Sequence, residues 1–67
     1  MPEKLIEKRG NLRNKRLQQG LTQSMLGNAV GVSTEHIKSL EYGRVNPSFK
    51  LMLKICEVLK GKPDELF

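Results

Sequence analysis

Apolar residues recur along this chain at intervals of three and four, the spacing of one face of an α-helix. Almost no stretch alternates between apolar and polar residues as a β-strand would. Gly20, Gly31 and Gly43 each follow a segment with helical spacing, and glycine commonly ends helices. The pattern therefore predicts an all-α fold divided into short helices.

Five helices are predicted. The first runs from about Glu7 to Gln19, and its inward residues are Leu5, Ile6, Leu12 and Leu17. The second starts at the N-cap Thr22 and carries Leu26, Ala29 and Val30, while the third starts at the N-cap Ser33 and turns Ile37 and Leu40 inward. The fourth follows Asn46-Pro47-Ser48, with an apolar face of Phe49, Met52, Leu53, Ile55, Cys56 and Leu59. A last turn spans Pro63 to Phe67.

Only Val30-Gly31-Val32 separates the second helix from the third. A turn this short, with Gly31 free to adopt the left-handed conformation, makes consecutive helices cross steeply instead of lying antiparallel. This is helix-turn-helix geometry, in which the third helix projects one face from the domain. A lone helix of this size fits the major groove of duplex DNA.

Length and composition narrow the function classes. A chain of 67 residues predicts one domain over residues 1–67, with residues 1–6 a candidate flexible N-terminal arm. One cysteine and one histidine give no disulfide or metal set, and no catalytic constellation is recoverable, so we expect no enzyme and no cofactor. No long apolar run or signal peptide is present, so we expect a cytoplasmic protein with no membrane and no small-molecule ligand.

The net charge of +5 and the pI near 9.7 favour an anionic partner, although only weakly. Residues 1–20 hold six Lys or Arg against two Glu, whereas residues 21–47 are balanced. Charge alone therefore indicates the N-terminus instead of the third helix. A solvated basic helix face explains it equally well.

Four short motifs appear in a fixed order between residues 12 and 59. They are "GLTQ" before the second helix, "GVS" in the turn, "I..LE.G" on the third helix and "NPS" before the fourth. Together they resemble the lambda-repressor-like, Cro/C1-type (XRE-type) helix-turn-helix proteins. The resemblance implies a compact five-helix DNA-binding domain and a transcriptional regulator that binds an inverted-repeat operator as a homodimer, and we expect a repressor. The alternative function is an antitoxin-like module that binds a partner protein as well as double-stranded DNA.

The resemblance also implies site residues on the recognition helix, about residues 33–42. Its base-reading positions are occupied here by Thr34, Glu35, Lys38 and Ser39. Glu35 has three alternatives: it accepts from a cytosine amino group, pairs on its own helix with Lys38 or Ser39, or faces solvent. For His36 we favour packing or help with N-terminal capping over base contact.

Further roles follow from the same resemblance. Contacts to DNA phosphates fall on Thr22, Gln23, Ser33, Tyr42, Arg44 and Asn46; for Thr22 and Gln23 capping alone is the alternative, and for Arg44 a solvated loop position. Arg16 and Glu41 match a pair that joins the first and third helices, the alternative being two independent surface charges. If the pair forms, Arg16 is structural and not a DNA contact.

Three residues depart from the usual pattern of the family. Gly27 stands where the family usually has alanine, which weakens the helix unless a close approach requires glycine. Gly10 weakens the start of the first helix, Met25 occupies a usually polar position, and Cys56 is expected to be a buried small hydrophobe.

The fourth helix has more apolar residues than one core-facing stripe needs, since Leu51 and Val58 come in addition to it. We therefore place the dimer interface at Val58, Lys62, Pro63, Leu66 and Phe67.

Overall fold

The computed structural model describes residues 9–67 and contains five helices and no strand in that part of the chain. The helices are α1 Gly10–Gln18, α2 Gln23–Val30, α3 Thr34–Glu41, α4 Phe49–Leu59 and α5 Pro63–Leu66. The all-α, five-helix prediction is therefore confirmed. The predicted start of the first helix at Glu7, the inward Leu5 and Ile6, and the N-terminal arm lie outside the described residues.

Side-chain caps start three helices where the sequence predicts them. The hydroxyl of Thr22 accepts from the Met25 N–H at 3.0 Å and begins α2. Ser33 caps α3 in the same way through the His36 N–H at 3.1 Å, and Ser48 caps α4. Each hydroxyl satisfies a backbone donor that the helix itself leaves unpaired, so these helix starts are encoded locally.

Left-handed backbone residues mark the helix ends. Gly31 has φ +82° and caps α2, and Gly20 and Gly43 follow α1 and α3 with φ +74° and +76°. The end of α4 differs, because Lys60 adopts φ +58° without being a glycine. Its N–H donates to the Cys56 carbonyl and closes the last turn.

All five helices contribute to one core. The buried apolar side chains are Leu12, Leu26, Val30, Ile37, Leu40, Leu51, Ile55, Cys56, Leu59 and Leu66. Cys56 is buried as expected, and burial, with Asp64 and Glu65 nearby, raises the pKa of its thiol. The core thus extends from the helix-turn-helix pair to α4 and α5.

Several inward predictions are wrong. Phe49 is 72% exposed, and Leu17 and Leu53 are also exposed. In α4 the row of Leu51, Ile55 and Leu59 faces the core, whereas Phe49 and Leu53 lie one turn apart on a different side. The apolar face read from the sequence is therefore wider than the surface that the other helices cover.

The predicted dimer interface also needs correction. Leu66 is only 3% exposed, because α5 packs against α1 and α4 and places this side chain in the core. Leu51 is likewise buried and not in excess. Val58 and Phe67 are half-buried against the core, whereas Lys62 and Pro63 are exposed.

Gly27 marks a close approach between α2 and the turn that follows it. A Cβ at this position would lie 2.7 Å from the Val32 carbonyl oxygen. The Val32 N–H also donates to the Gly27 carbonyl at 2.9 Å, so the two backbones are held in contact. The glycine is required by the tight turn that sets the angle between α2 and α3.

Candidate nucleic-acid interface

Helix α3 packs one side against the domain and leaves the opposite side accessible. Ile37 and Leu40 are fully buried beneath it. Thr34 and Glu35 are exposed, as expected of groups that read base edges. Lys38 and Ser39 are half-buried, so they reach the surface less completely than Thr34 does.

Glu35 pairs with Lys38 on its own helix. The carboxylate Oε2 lies 3.4 Å from the lysine Nζ, and the Glu35 side chain is 82% exposed. Of the three alternatives for Glu35, the structure favours intrahelical pairing in the free protein. An exposed pair of this kind contributes little stability, so duplex DNA can compete for either partner.

A buried network fixes the position of α3. The Arg16 Nε donates to Glu41 Oε2 at 2.5 Å, and Nη2 donates to Oε1 at 3.2 Å. The pair is almost wholly buried. Gln23 extends it, because its Nε2 donates to Glu41 Oε1 at 3.1 Å. Arg16 and Glu41 therefore form the ion pair that the sequence predicts, and α1, α2 and α3 meet at one carboxylate.

This network orients the Gln23 amide. Because the carboxylate accepts one hydrogen of Nε2, the nitrogen side of the amide is fixed and its second hydrogen remains a donor for another acceptor. Gln23 also starts α2, where backbone N–H groups favour an anion. The backbone N–H of His36 donates to the Ser33 hydroxyl that caps α3, and the residue is half-buried.

The loop after α3 carries the next group of predicted phosphate contacts. The Arg44 guanidinium lies over the Tyr42 ring, with Cζ 5.1 Å from the ring centroid, and both residues are exposed. Asn46 is exposed as well, and its Oδ1 accepts from the Arg9 guanidinium at 2.6 Å. The loop thus presents a cation, a phenol and an amide beside the recognition helix.

One open cleft brings together residues of α1, the start of α2 and the C-terminal half of α3. It has a volume of about 420 Å³ and is lined by Arg13, Arg16, Leu17, Leu21, Thr22, Gln23, Lys38 and Tyr42. The predicted phosphate residues Thr22, Gln23 and Tyr42 therefore lie around the predicted base-reading Lys38. Ser33 lies at the N-terminus of α3, apart from this cleft.

The sequence prediction missed Arg13, an exposed cation that lines this cleft and a second one of about 320 Å³ beside Gln23 and Tyr42. It also missed Arg9, which lines the second cleft. The signal was present, because Arg9, Arg13 and Arg16 are spaced four and three residues apart and so share one side of the chain at α1. Once Arg16 pairs with Glu41, the other two must face the same end of α3.

No helix within residues 9–67 combines the length and apolar character needed to cross a membrane. In the same part of the chain, no three His, Cys, Asp or Glu side chains come together as a metal site.

A family model described as helix-turn-helix matches residues 12–66, nearly the whole described chain. The chain belongs to the Cro/C1-type helix-turn-helix family. Members of this family are DNA-binding transcriptional regulators.

Similar proteins agree with this assignment. An uncharacterized HTH-type transcriptional regulator of Archaeoglobus fulgidus is 41% identical over 59 residues, covering 88% of this chain and 84% of the relative. The restriction-modification controller protein C.AhdI from Aeromonas hydrophila superposes with a TM-score of 0.76 at 33% identity, covering 85% of this chain and 86% of that one. The clp gene regulator ClgR from C. glutamicum gives 0.74 at 30% identity, covering 85% and 74%.

Proposed function

We propose that this helix-turn-helix protein is a sequence-specific repressor that binds an inverted-repeat operator as a homodimer, with α3 in the major groove. The observation that carries the proposal is the two-sided character of α3. Its buried side consists of Ile37, Leu40 and the ion-paired Glu41, whereas Thr34, Glu35, Lys38 and Ser39 remain at least partly exposed. Lys38 lines a cleft together with Thr22, Gln23 and Tyr42, which are suited to phosphates. A helix that is fixed on one side by packing against the domain can place the side chains of its other side at defined base edges.

Base reading falls to four short or flexible side chains. Lysine donates well to the guanine acceptors, and hydroxyl groups serve either donors or acceptors. When Lys38 turns to a base, its weak pair with Glu35 opens, and the carboxylate can then accept from a cytosine amino group. Glu35 otherwise keeps Lys38 oriented on the helix.

Phosphate binding falls to two groups of residues near α3. Gln23 and Thr22 lie at the N-terminus of α2, where the exposed N–H groups and the helix dipole attract an anion. In the loop after α3, Arg44 stacks on Tyr42, and Asn46 follows in the same loop. Ser33 is assigned the same role at the N-terminus of α3. We add Arg13, because it is an exposed cation lining both clefts.

Dimerisation is assigned to the outward stripe of α4 together with the exposed α5 region. Phe49 and Leu53 are exposed one turn apart, and such a stripe can pair with itself about a two-fold axis. If two α4 helices cross antiparallel near Leu53, Lys50 of one copy approaches Glu57 of the other, and both residues are exposed. Val58, Lys62, Pro63 and Phe67 remain candidate neighbours of this stripe. The two recognition helices would lie about 34 Å apart, one turn of DNA.

A second candidate is an antitoxin-like module, in which a partner protein covers an exposed apolar surface. Met25 on α2 is 48% exposed, and the stripe of Phe49 and Leu53 is open as well. A partner-binding module would use one of these surfaces for a different chain. Sedimentation of the isolated protein distinguishes the two, because a self-pairing stripe gives a dimer and a partner-binding stripe leaves a monomer.

Selection of bound sites from random duplexes at two salt concentrations tests the proposal. We expect enrichment of an inverted repeat whose half-sites are centred about 10 base pairs apart, or a multiple of that spacing. Equal recovery of all sequences with a steep salt dependence would leave only nonspecific attraction to phosphates and would contradict sequence-specific binding.

A further inference from the structure

Arg9 holds together segments that are far apart in the sequence. Its backbone N–H donates to the Glu41 carbonyl at 2.8 Å. Its guanidinium Nη1 donates to the Leu40 carbonyl at 2.7 Å and to the Val45 carbonyl at 3.0 Å, while Nη2 donates to Asn46 Oδ1 at 2.6 Å. One residue before α1 therefore ties down the end of α3 and the loop that follows it.

These contacts reach oxygen atoms at the C-terminal end of α3 and in the following loop, which accept no hydrogen bond from within the helix. The last carbonyls of a helix lack partners within it, and a cation near them is favoured by the helix dipole. The loop itself supplies some donors, since Gly43 and Arg44 donate to Leu40 and Ser39. The planar fork of Arg9 adds two loop acceptors beyond that turn, at Val45 and Asn46, so the loop is fixed at both ends.

The contact at Asn46 also determines its orientation. A guanidinium can only donate, so the oxygen of the Asn46 amide must face Arg9. The nitrogen of that amide, which carries two donors, then lies on the opposite branch of the side chain. Arg9 therefore orients Asn46 so that its donor side is turned away from the guanidinium.

The Phe67 ring covers this guanidinium from a further direction. The Arg9 Cζ lies 5.7 Å from the ring centroid, and the side chain is half-buried. An arginine engaged on the protein in these directions is not a surface charge awaiting a phosphate. Its guanidinium donates instead to the end of α3 and to the segment between α3 and α4.

We propose that Arg9 is a positioning residue for DNA binding that acts through the loop of residues 42–46. It holds Tyr42, Arg44 and Asn46 at the distance from α3 at which they meet the phosphates flanking the occupied groove. The inference rests on the proposed function, since it assigns how that same surface is preorganised. Arg9 does not bind DNA itself.

Arg9→Lys tests this directly, because lysine keeps the positive charge but cannot span three acceptors with a planar fork. The probe is a short duplex carrying the site that selection enriches. We expect Arg9→Lys to weaken binding about tenfold, the equivalent of one charge-assisted hydrogen bond. The magnitude of the negative slope of log association constant against log salt concentration should decrease by about one, the value for one phosphate contact.

The decisive measurement is a double-mutant cycle with Arg44→Gln. If Arg9 acts through the loop, the loss of affinity caused by Arg9→Lys is smaller once Arg44 is removed, because only Tyr42 and Asn46 then remain for Arg9 to position. Lys54→Gln is the matched charge control, because Lys54 is exposed on α4 and lines none of the clefts around α3. It should leave more of the salt slope intact than Arg44→Gln does.

Additive losses in Arg9→Lys and Arg44→Gln, or binding by Arg9→Lys equal to that of the original protein, would overturn the inference. Hydrogen exchange gives a second test without DNA: the Arg44 amide, which donates to Ser39 at 3.0 Å, should exchange faster in Arg9→Lys. Unchanged exchange would also contradict it. If the original protein selects no site, the proposed function itself fails, which is a separate outcome.

Discussion

Gly27 shows how one residue can set the geometry of the whole recognition surface. A glycine inside a helix costs stability relative to alanine, by up to about 1 kcal/mol. Here the absent Cβ leaves room for the Val32 carbonyl, which belongs to backbone and cannot move aside cheaply. The cost of the glycine is therefore offset by the close approach of the short turn that leads into α3.

We predict that Gly27→Ala lowers the free energy of unfolding by about 1–3 kcal/mol, because overpacking against backbone exceeds the gain in helix propensity. Gly10→Ala is the matched control. Nothing lies within 4 Å of a Cβ at Gly10, so the same change there should stabilise the protein by a few tenths to about 1 kcal/mol. Urea denaturation measures both variants, and stabilisation by Gly27→Ala would contradict the close approach.

Residue roles were predictable from the sequence where they depend on neighbours in the chain. Thr22 and Ser33 cap helices through N–H groups three residues away, so their pattern is visible locally. Arg9 bonds to groups 31 to 37 residues away, and a basic residue next to Lys8 gives no sign of that in the sequence. It became interpretable only through its spacing from Arg16.

At the scale of elements, the position of α3 depends on the carboxylate of Glu41. This group accepts from Arg16 on α1 and from Gln23 on α2, so it joins the three helices that surround the clefts. Arg16 also donates to the Leu21 carbonyl at 2.8 Å and fixes the segment between α1 and α2. A buried charge that loses its partner is costly, so removing either Arg16 or Glu41 alone should strongly destabilise the fold.

Glu41→Ala should lower the free energy of unfolding by about 3–5 kcal/mol, because it leaves the Arg16 guanidinium buried and unpaired. Replacing both partners, as in Arg16→Met with Glu41→Leu, should recover part of that loss. Glu35→Ala is the control: it breaks an exposed pair and should change stability by less than about 1 kcal/mol. A Glu41→Ala effect as small as that of Glu35→Ala would contradict the structural role of the pair.

The type and order of the helices could be predicted from the sequence, but the orientation of α4 about its axis could not. Its apolar residues occupy more than half of the helix circumference, so periodicity allows more than one inward row. The orientation of α4 is determined by α2 and α5, which pack against it and bury the row of Leu51, Ile55 and Leu59. Phe49 and Leu53 were left outside for that reason.

The proposed dimer depends on the exposed stripe of Phe49 and Leu53 on α4. Phe49→Ser combined with Leu53→Ser should raise the dimer dissociation constant at least about tenfold, since exposed aromatic anchors dominate such interfaces. Stability of the monomer should hardly change, because neither side chain lies in the core. Sedimentation equilibrium measures the dissociation constant.

Met25→Ser is the control for the stripe, since Met25 is exposed to nearly the same extent as Leu53, 48% against 46%. It should leave the dimer intact. If the Met25 variant dissociates and the α4 variant does not, the self-association surface lies on α2 and the assignment to α4 is wrong.

We propose that the outer side of α3 selects the base sequence while the loop after it supplies sequence-independent affinity. Base preferences measured for Lys38→Ala and Arg44→Ala across all single substitutions of the selected site separate these two roles. We predict that Lys38→Ala loses about 1–3 kcal/mol of discrimination at one or two positions of each half-site, whereas Arg44→Ala weakens binding to every sequence alike. An unchanged base preference in Lys38→Ala, with a uniform loss of affinity like that of Arg44→Ala, would contradict the account.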